Sequence, residues 1–151
     1  AEDDIVLVWL IQGEEWFEFV QVKSNQLDQL WSVAKLCEQE PGKDGQGPGA
    51  CIVEKSLTHD RGDGKCRFRF VTCREPHSDL AVLKLALDDP ARTRQDSGLA
   101  EVVAAVGRRV VGFASENGNG AEFWVRMTVW EYKASITDLE HENLVKIDRI
   151  L

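Results

Sequence analysis

The chain has 151 residues, 43% of them hydrophobic and 29% charged, and a formal net charge of −8. This length suits one domain with a sizeable core, and the composition is that of an ordinary soluble globular protein. The acidic balance argues against a protein held on nucleic acid by bulk charge, while leaving room for a local basic cluster on an enzyme that cuts it.

The first predicted element is a hairpin. Residues 5–11 and 16–23 are rich in Val, Ile, Phe and Trp, and Gln12-Gly13-Glu14-Glu15 between them allows only an antiparallel connection. A turn centred on Gly13-Glu14 sets Ile11 opposite Trp16, Val6 opposite Gln21 and Asp4 opposite Lys23. Strand alternation then gathers Asp4, Gln21 and Lys23 at one end of a face otherwise made of Val6, Val8, Phe17 and Phe19. A slip of one residue would put Asp3 in place of Asp4. Glu18 falls on the opposite face and stays outside the group.

Asn25 is positioned to cap a helix over 26–38, in which Leu27, Leu30, Trp31, Ala34 and Leu36 have helical spacing. The run PGKDGQGPG at 41–49 reads as a loop, and 50–59 as a short helix. Residues 65–73, KCRFRFVTC, alternate as a strand with Phe68, Phe70 and Thr72 on one face and Arg67, Arg69 and Val71 on the other. Arg67, Arg69 and Arg74 form the densest basic group in the chain. They suit either a solvated edge or a strip contacting DNA phosphates.

Ser78 caps a predicted helix over 79–87, and a second helix covers 98–110, with Arg108 and Arg109 matching its dipole. Asn117-Gly118-Asn119-Gly120 is a turn leading into a long predicted strand, 121–132, apolar on both faces. A final amphipathic helix is expected over 137–151. Helical crossovers between the strands imply an α/β fold, a mixed β-sheet flanked by helices.

Cys37, Cys51, Cys66 and Cys73 lack CxxC spacing, and His59, His77 and His141 are scattered, so cytosolic thiols are expected rather than a zinc site. HExxH, GxSxG and Walker patterns are missing from the sequence, which disfavours zinc proteases, serine hydrolases and nucleotide-binding loops. With no apolar run of membrane-spanning length and no signal peptide, a cytoplasmic location without a membrane partner is expected. The chain opens at Ala1 without Met, so residues 1–151 read as one domain cut from a longer protein.

The polar end of the hairpin has its own chemistry. A carboxylate and a side-chain amide oxygen are hard ligands suited to Mg²⁺, which needs few protein ligands and keeps several waters. A lysine beside them can orient a water and stabilise charge developing on a phosphate.

In this arrangement the chain resembles the PD-(D/E)xK restriction-endonuclease-like superfamily. There an Asp leads one strand and (D/E)xK lies on its antiparallel neighbour. Here Gln21-Val22-Lys23 stands where Glu-x-Lys usually does, a QxK variant. DDIV…QVKS, Gln29-Leu30-Trp31-Ser32, Ser56-Leu57, the strand from Arg67 to Thr72, and the Asn-Gly-Asn-Gly turn before Phe123-Trp124 resemble one branch. That branch is the nuclease domain of bacterial antiphage double-stranded DNA endonucleases, effectors of cyclic-oligonucleotide signalling (CBASS).

The resemblance implies that Asp4 or Asp3, Gln21 and the Val22 carbonyl hold Mg²⁺, with Mn²⁺ as a substitute, and that Lys23 is the catalytic lysine. It also implies a double-stranded DNA substrate, a fused or partner sensor domain that binds a cyclic oligonucleotide, and homo-oligomeric assembly. Two departures stand out: the helix that normally precedes the first strand is lacking, and Gln21 carries one charge fewer than the usual Glu. A second reading follows from them, a catalytically inactive interaction module on the same fold.

Overall fold

The structure, a computed structural model, describes residues 2–24, 29–40 and 49–133. The expected Asn25 cap, most of the 41–49 loop and the helix at 137–151 lie outside the described residues. Four strands form one mixed sheet in the order β1-β2-β3-β4: β1 (Glu2–Ile11), β2 (Glu14–Lys23), β3 (Lys65–Thr72) and β4 (Thr128–Tyr132). β1 and β2 are antiparallel, while β2–β3 and β3–β4 are parallel. Parallel neighbours need long crossovers. The first contains α1 (Val33–Leu36) and α2 (Ile52–Leu57). The second contains a 3₁₀ helix (Ser78–Lys84), α3 (Pro90–Thr93), α4 (Leu99–Arg109) and α5 (Ala121–Arg126). This is the expected α/β fold, consistent with a restriction-endonuclease-like core.

The hairpin register differs from the expected one by two residues. Asp4 stands opposite Gln21, Val6 opposite Phe19 and Ile11 opposite Glu14. The cause is the turn, which is Gln12-Gly13 rather than Gly13-Glu14. Both residues have positive φ, 51° and 79°, the conformation of a two-residue type I′ turn, whose twist matches that of the strands it joins. A shift of two leaves every side chain on its original face. The expected face therefore survives with different partners.

The helices pack on the face that carries Phe19, Phe68, Phe70 and Trp130. These rings join Leu36, Ile52, Val53, Leu57, Leu80, Leu83, Val102, Val106, Trp124 and Val125 in the main core. Trp31 belongs to the same core and meets Phe70 and Trp130 edge-on, a favoured geometry for aromatic pairs. The other face carries a smaller cluster of Leu7, Val20, Val22 and Val71, with Ile5 and Trp9 against it.

Two expected elements, one helix and one strand, need correction. The helix over 26–38 is reduced among the described residues to the single turn of α1, capped by Ser32, whose Oγ accepts from Lys35 N at 3.1 Å. Trp31 instead bridges to Pro76 in extended conformation, so tertiary pairing overrides its helical spacing. The long strand at 121–132 is also divided, because its first half is α5. Ala121, Trp124 and Val125 are its buried residues, a spacing of three and four that makes a helical stripe.

Arg92 holds that junction. The residue is only 1% exposed, and its guanidinium donates to the carbonyls of Leu83, Leu85, Val125, Arg126 and Thr128 at 2.7–3.4 Å. Val125 and Arg126 lie in the last turn of α5, where carbonyls lack helical partners. Burial lowers the Arg92 pKa to about 10, still charged at neutral pH.

Candidate active site on the hairpin

The polar group forms where β1 begins and β2 ends. Because Asp4 and Gln21 are directly opposed, their Cβ atoms are cross-strand neighbours on the same face. Lys23 follows on that face, two residues along. Asp3 is opposite Val22, so the register places Asp4, not Asp3, beside Gln21. Asp4 is exposed, whereas Gln21 and Lys23 are 2% and 4% exposed. They are buried because β2 lies inside the sheet, paired on both sides, with α2 across its face.

Three further side chains complete the group. Lys23 Nζ lies 2.5 Å from Glu40 Oε1. Lys55 Nζ sits between two carboxylates, 3.5 Å from Asp4 Oδ2 and 3.9 Å from Glu40 Oε2. Ser56, 2% exposed, brings its hydroxyl to 2.8 Å from the Gln21 side-chain oxygen and 2.9 Å from the Ile52 carbonyl. Gln21 Nε2 is buried without a hydrogen-bond partner among the described residues. The site thus alternates in charge, carboxylate–ammonium–carboxylate–ammonium, around one uncharged amide.

α2 sets the positions of Lys55 and Ser56. Ile52, Val53 and Leu57 are buried in the core, and Glu54 accepts from Cys51 N at 3.1 Å in the first turn. Ser56 therefore faces the sheet and Lys55 the rim. The Ser56-Leu57 pair is visible in the chain, but nothing local signals that it meets Gln21, 35 residues earlier. Glu40 and Lys55 have no local signal either.

Next along the same face lies a cavity of about 300 Å³ lined by Val6, Phe17, Phe19, His59, Arg61, Gly64 and Cys66. His59 stacks on Phe19 with centroids 3.7 Å apart. Burial lowers the His59 pKa, Arg61 adds to the effect, and Asp4 opposes it. A larger cavity, about 670 Å³ between α1 and Arg109, contains none of the polar group.

The arginines of β3 lie elsewhere. Arg67 and Arg69 are on the opposite face of the sheet, where both pair with the buried Glu18 at 2.7 Å, and Arg69 also reaches Glu131 at 3.2 Å. Arg74, beyond the strand, is exposed. None of the three joins Asp4, Gln21 and Lys23.

Other buried polar groups serve the fold. Asp60 accepts hydrogen bonds from Ser115, Asn117 and Asn119 and so pins the Asn-Gly-Asn-Gly turn against the segment that follows α2. Burial would raise its pKa, but these three donors hold it below the usual 3.8. The four cysteines are free thiols, and burial raises Cys37 and Cys66 to about 12 and Cys51 to about 11. Among the described residues, no group of three or more His, Cys, Asp or Glu could hold a metal. Any cation here would depend on the Gln21 amide as well as carboxylates. No described helix is long and apolar enough to cross a membrane.

A mixed four-stranded sheet with helical crossovers is an α/β fold, consistent with a restriction-endonuclease-like core. The chain belongs to the family described as the Cap4 dsDNA endonuclease domain, which it matches over residues 1–150. It is also 26% identical, over 145 residues, to anti-bacteriophage protein A of Escherichia coli K12, an alignment covering 91% of this chain. The chain spans about a quarter of that relative's length, 24%. No solved structure gives a significant match.

Proposed function

We propose that this domain is a Mg²⁺-dependent endonuclease of the PD-(D/E)xK type, in a QxK variant, that hydrolyses phosphodiester bonds of double-stranded DNA. The observation that carries the reading is the hairpin register, which opposes Asp4 to Gln21 and puts Lys23 on the same face, in a chain of a dsDNA endonuclease family.

The residues fit the cation. Asp4 supplies an exposed carboxylate and Gln21 a buried amide whose oxygen, 2.8 Å from the Ser56 hydroxyl, is a hard donor. The Val22 carbonyl, between Gln21 and Lys23, is a further oxygen. Mg²⁺ accepts such a small set of hard oxygen ligands. When bound, the ion supplies a Lewis acid for the phosphate and a more acidic water.

The protein's own contribution centres on Lys23. Its ammonium is held in a nearly dry site with Glu40 balancing its charge, where electrostatic stabilisation is stronger than in water. From there it positions the attacking water and stabilises negative charge developing on the phosphoryl oxygens. Glu40 also keeps the ammonium in place until DNA phosphate competes for it.

The antiphage name of the E. coli relative and the family match support a role as the cutting module of a defence effector. Control by a cyclic-oligonucleotide sensor, in a fused or partner domain, belongs to the same proposal. Cleavage of supercoiled plasmid with Mg²⁺ or Mn²⁺, compared with Lys23→Ala, tests it. Cutting that the variant loses while remaining folded supports the assignment, and equal cutting by both refutes it.

A further inference from the structure

The Gln21 amide and the Ser56 hydroxyl raise a question of proton placement. Ser56 has one hydroxyl proton and two oxygens within reach, Gln21 Oε1 at 2.8 Å and the Ile52 carbonyl at 2.9 Å. With the amide oxygen toward Ser56, the proton can serve only one of them fully, and both N–H donors of Gln21 stay buried and unpaired. A half-turn about the last side-chain bond changes this without moving any neighbour. One Gln21 N–H then donates to Ser56 Oγ, and the hydroxyl donates to the Ile52 carbonyl in the i−4 pattern common to helical serines. Two good hydrogen bonds replace one. The atom left facing away from Ser56 is then a carbonyl oxygen, which can ligate a cation as an NH₂ cannot.

We propose that Ser56 is a positioning residue that holds the Gln21 amide with its NH₂ toward the hydroxyl and its Oε1 free, so that an uncharged side chain presents an oxygen to a divalent cation beside Asp4. This rests on the metal-dependent reading above and deepens it. A carboxylate at position 21 would need no such help, because its two oxygens are equivalent. An amide has a wrong way round, and the neighbouring helix decides which way it faces. Partners that orient metal ligands typically change metal affinity by about 10- to 100-fold when removed.

Two measurements on the 151-residue chain test this. In the first, Mn²⁺ affinity is measured by calorimetry for the wild type, Ser56→Ala and Ser56→Thr, and again with Ser56→Ala in the Gln21→Glu background. Ser56→Ala is expected to weaken Mn²⁺ binding by about tenfold or more, and Ser56→Thr, which keeps the hydroxyl, to restore it. In the Gln21→Glu background the same alanine substitution is expected to change affinity by less than about twofold, since no orientation remains to be lost. An equal loss in both backgrounds overturns the proposal and leaves Ser56 as packing.

The second measurement needs no metal. Proton NMR should show close contacts from the Gln21 side-chain NH₂ to the Ser56 β protons, and an NH₂ pointing away from Ser56 overturns the proposal even if Ser56→Ala fails to fold. Absence of Mn²⁺ binding by the wild type overturns this inference together with the metal-dependent reading. Lys23-dependent cutting with a reversed amide overturns this inference alone.

Discussion

Lys23→Met separates the chemistry of the site from its contribution to the fold. Methionine keeps most of the buried aliphatic stem and removes the ammonium. Its partner Glu40 is then left without that charge, and breaking a buried pair in this way costs about 3–5 kcal/mol when both groups are dry. Here the Lys23 side chain is 5% exposed but that of Glu40 is 26% exposed, so water and Lys55 share the carboxylate. The cost should fall to about 1–2 kcal/mol. For a domain of this size that lowers Tm by roughly 2–8 °C. A domain starting at about 5 kcal/mol would keep about 3, leaving under about 1% unfolded. Loss of an electrostatic stabiliser of the transition state removes about 10²–10³ of the rate. Unfolding of under 1% cannot imitate that. The assay is the initial rate of plasmid nicking in Mg²⁺, at a temperature well below both melting transitions. A folded Lys23→Met domain that cuts within about threefold of wild type would refute the assignment, because that corresponds to less than about 0.7 kcal/mol of transition-state stabilisation.

Arg92→Met should lower stability by about 3–5 kcal/mol, since it strips donors from five carbonyls at the α5–β4 junction. Urea denaturation measures this, and a loss below about 1 kcal/mol would contradict the clamp. Asp60→Asn should cost about 1–3 kcal/mol at pH 7. Because the folded pKa of Asp60 lies below its unfolded value of 3.8, this stabilisation is present above about pH 4 and is lost as pH falls through the folded pKa. The gap between wild type and variant should therefore narrow on acidification, and a constant gap from neutral to strongly acid pH would count against it. Arg67→Ala should destabilise the domain by exposing Glu18 to an unbalanced charge while leaving the salt dependence of DNA binding unchanged. Arg74→Ala should instead reduce the slope of log affinity against log salt by about one if it contacts a phosphate. Fluorescence anisotropy over a salt series distinguishes the two, and a reduced slope for Arg67→Ala alone would reverse the reasoning.

Much of this protein is written in short-range patterns. The alternation of β2 and β3 assigns Phe19 and Phe68 to one face and Glu18, Arg67 and Arg69 to the other, because the period of a strand is a property of its own backbone. The same alternation puts Gln21 and Lys23 together and excludes Glu18. Helices α2 and α4 and the Asn-Gly-Asn-Gly turn are also legible from periodicity and turn residues. The turn at Gln12-Gly13 is harder, since Gly13 fits a turn centred on either side of it, and a shift of one in the turn moves the pairing by two.

Only the tertiary structure decides the rest. α5 is a helix although Phe123, Val125, Met127 and Val129 alternate, because packing of Trp124 and Val125 in the core and the carbonyl clamp of Arg92 outweigh that local pattern. Glu40, Lys55 and Ser56 join the hairpin across 17 to 51 residues of chain, a meeting made by the β2–β3 crossover folding onto the sheet. The strand residues of the site are local in sequence because alternation places them, whereas the charges and the hydroxyl around them are not, because long-range packing leaves no period in the chain.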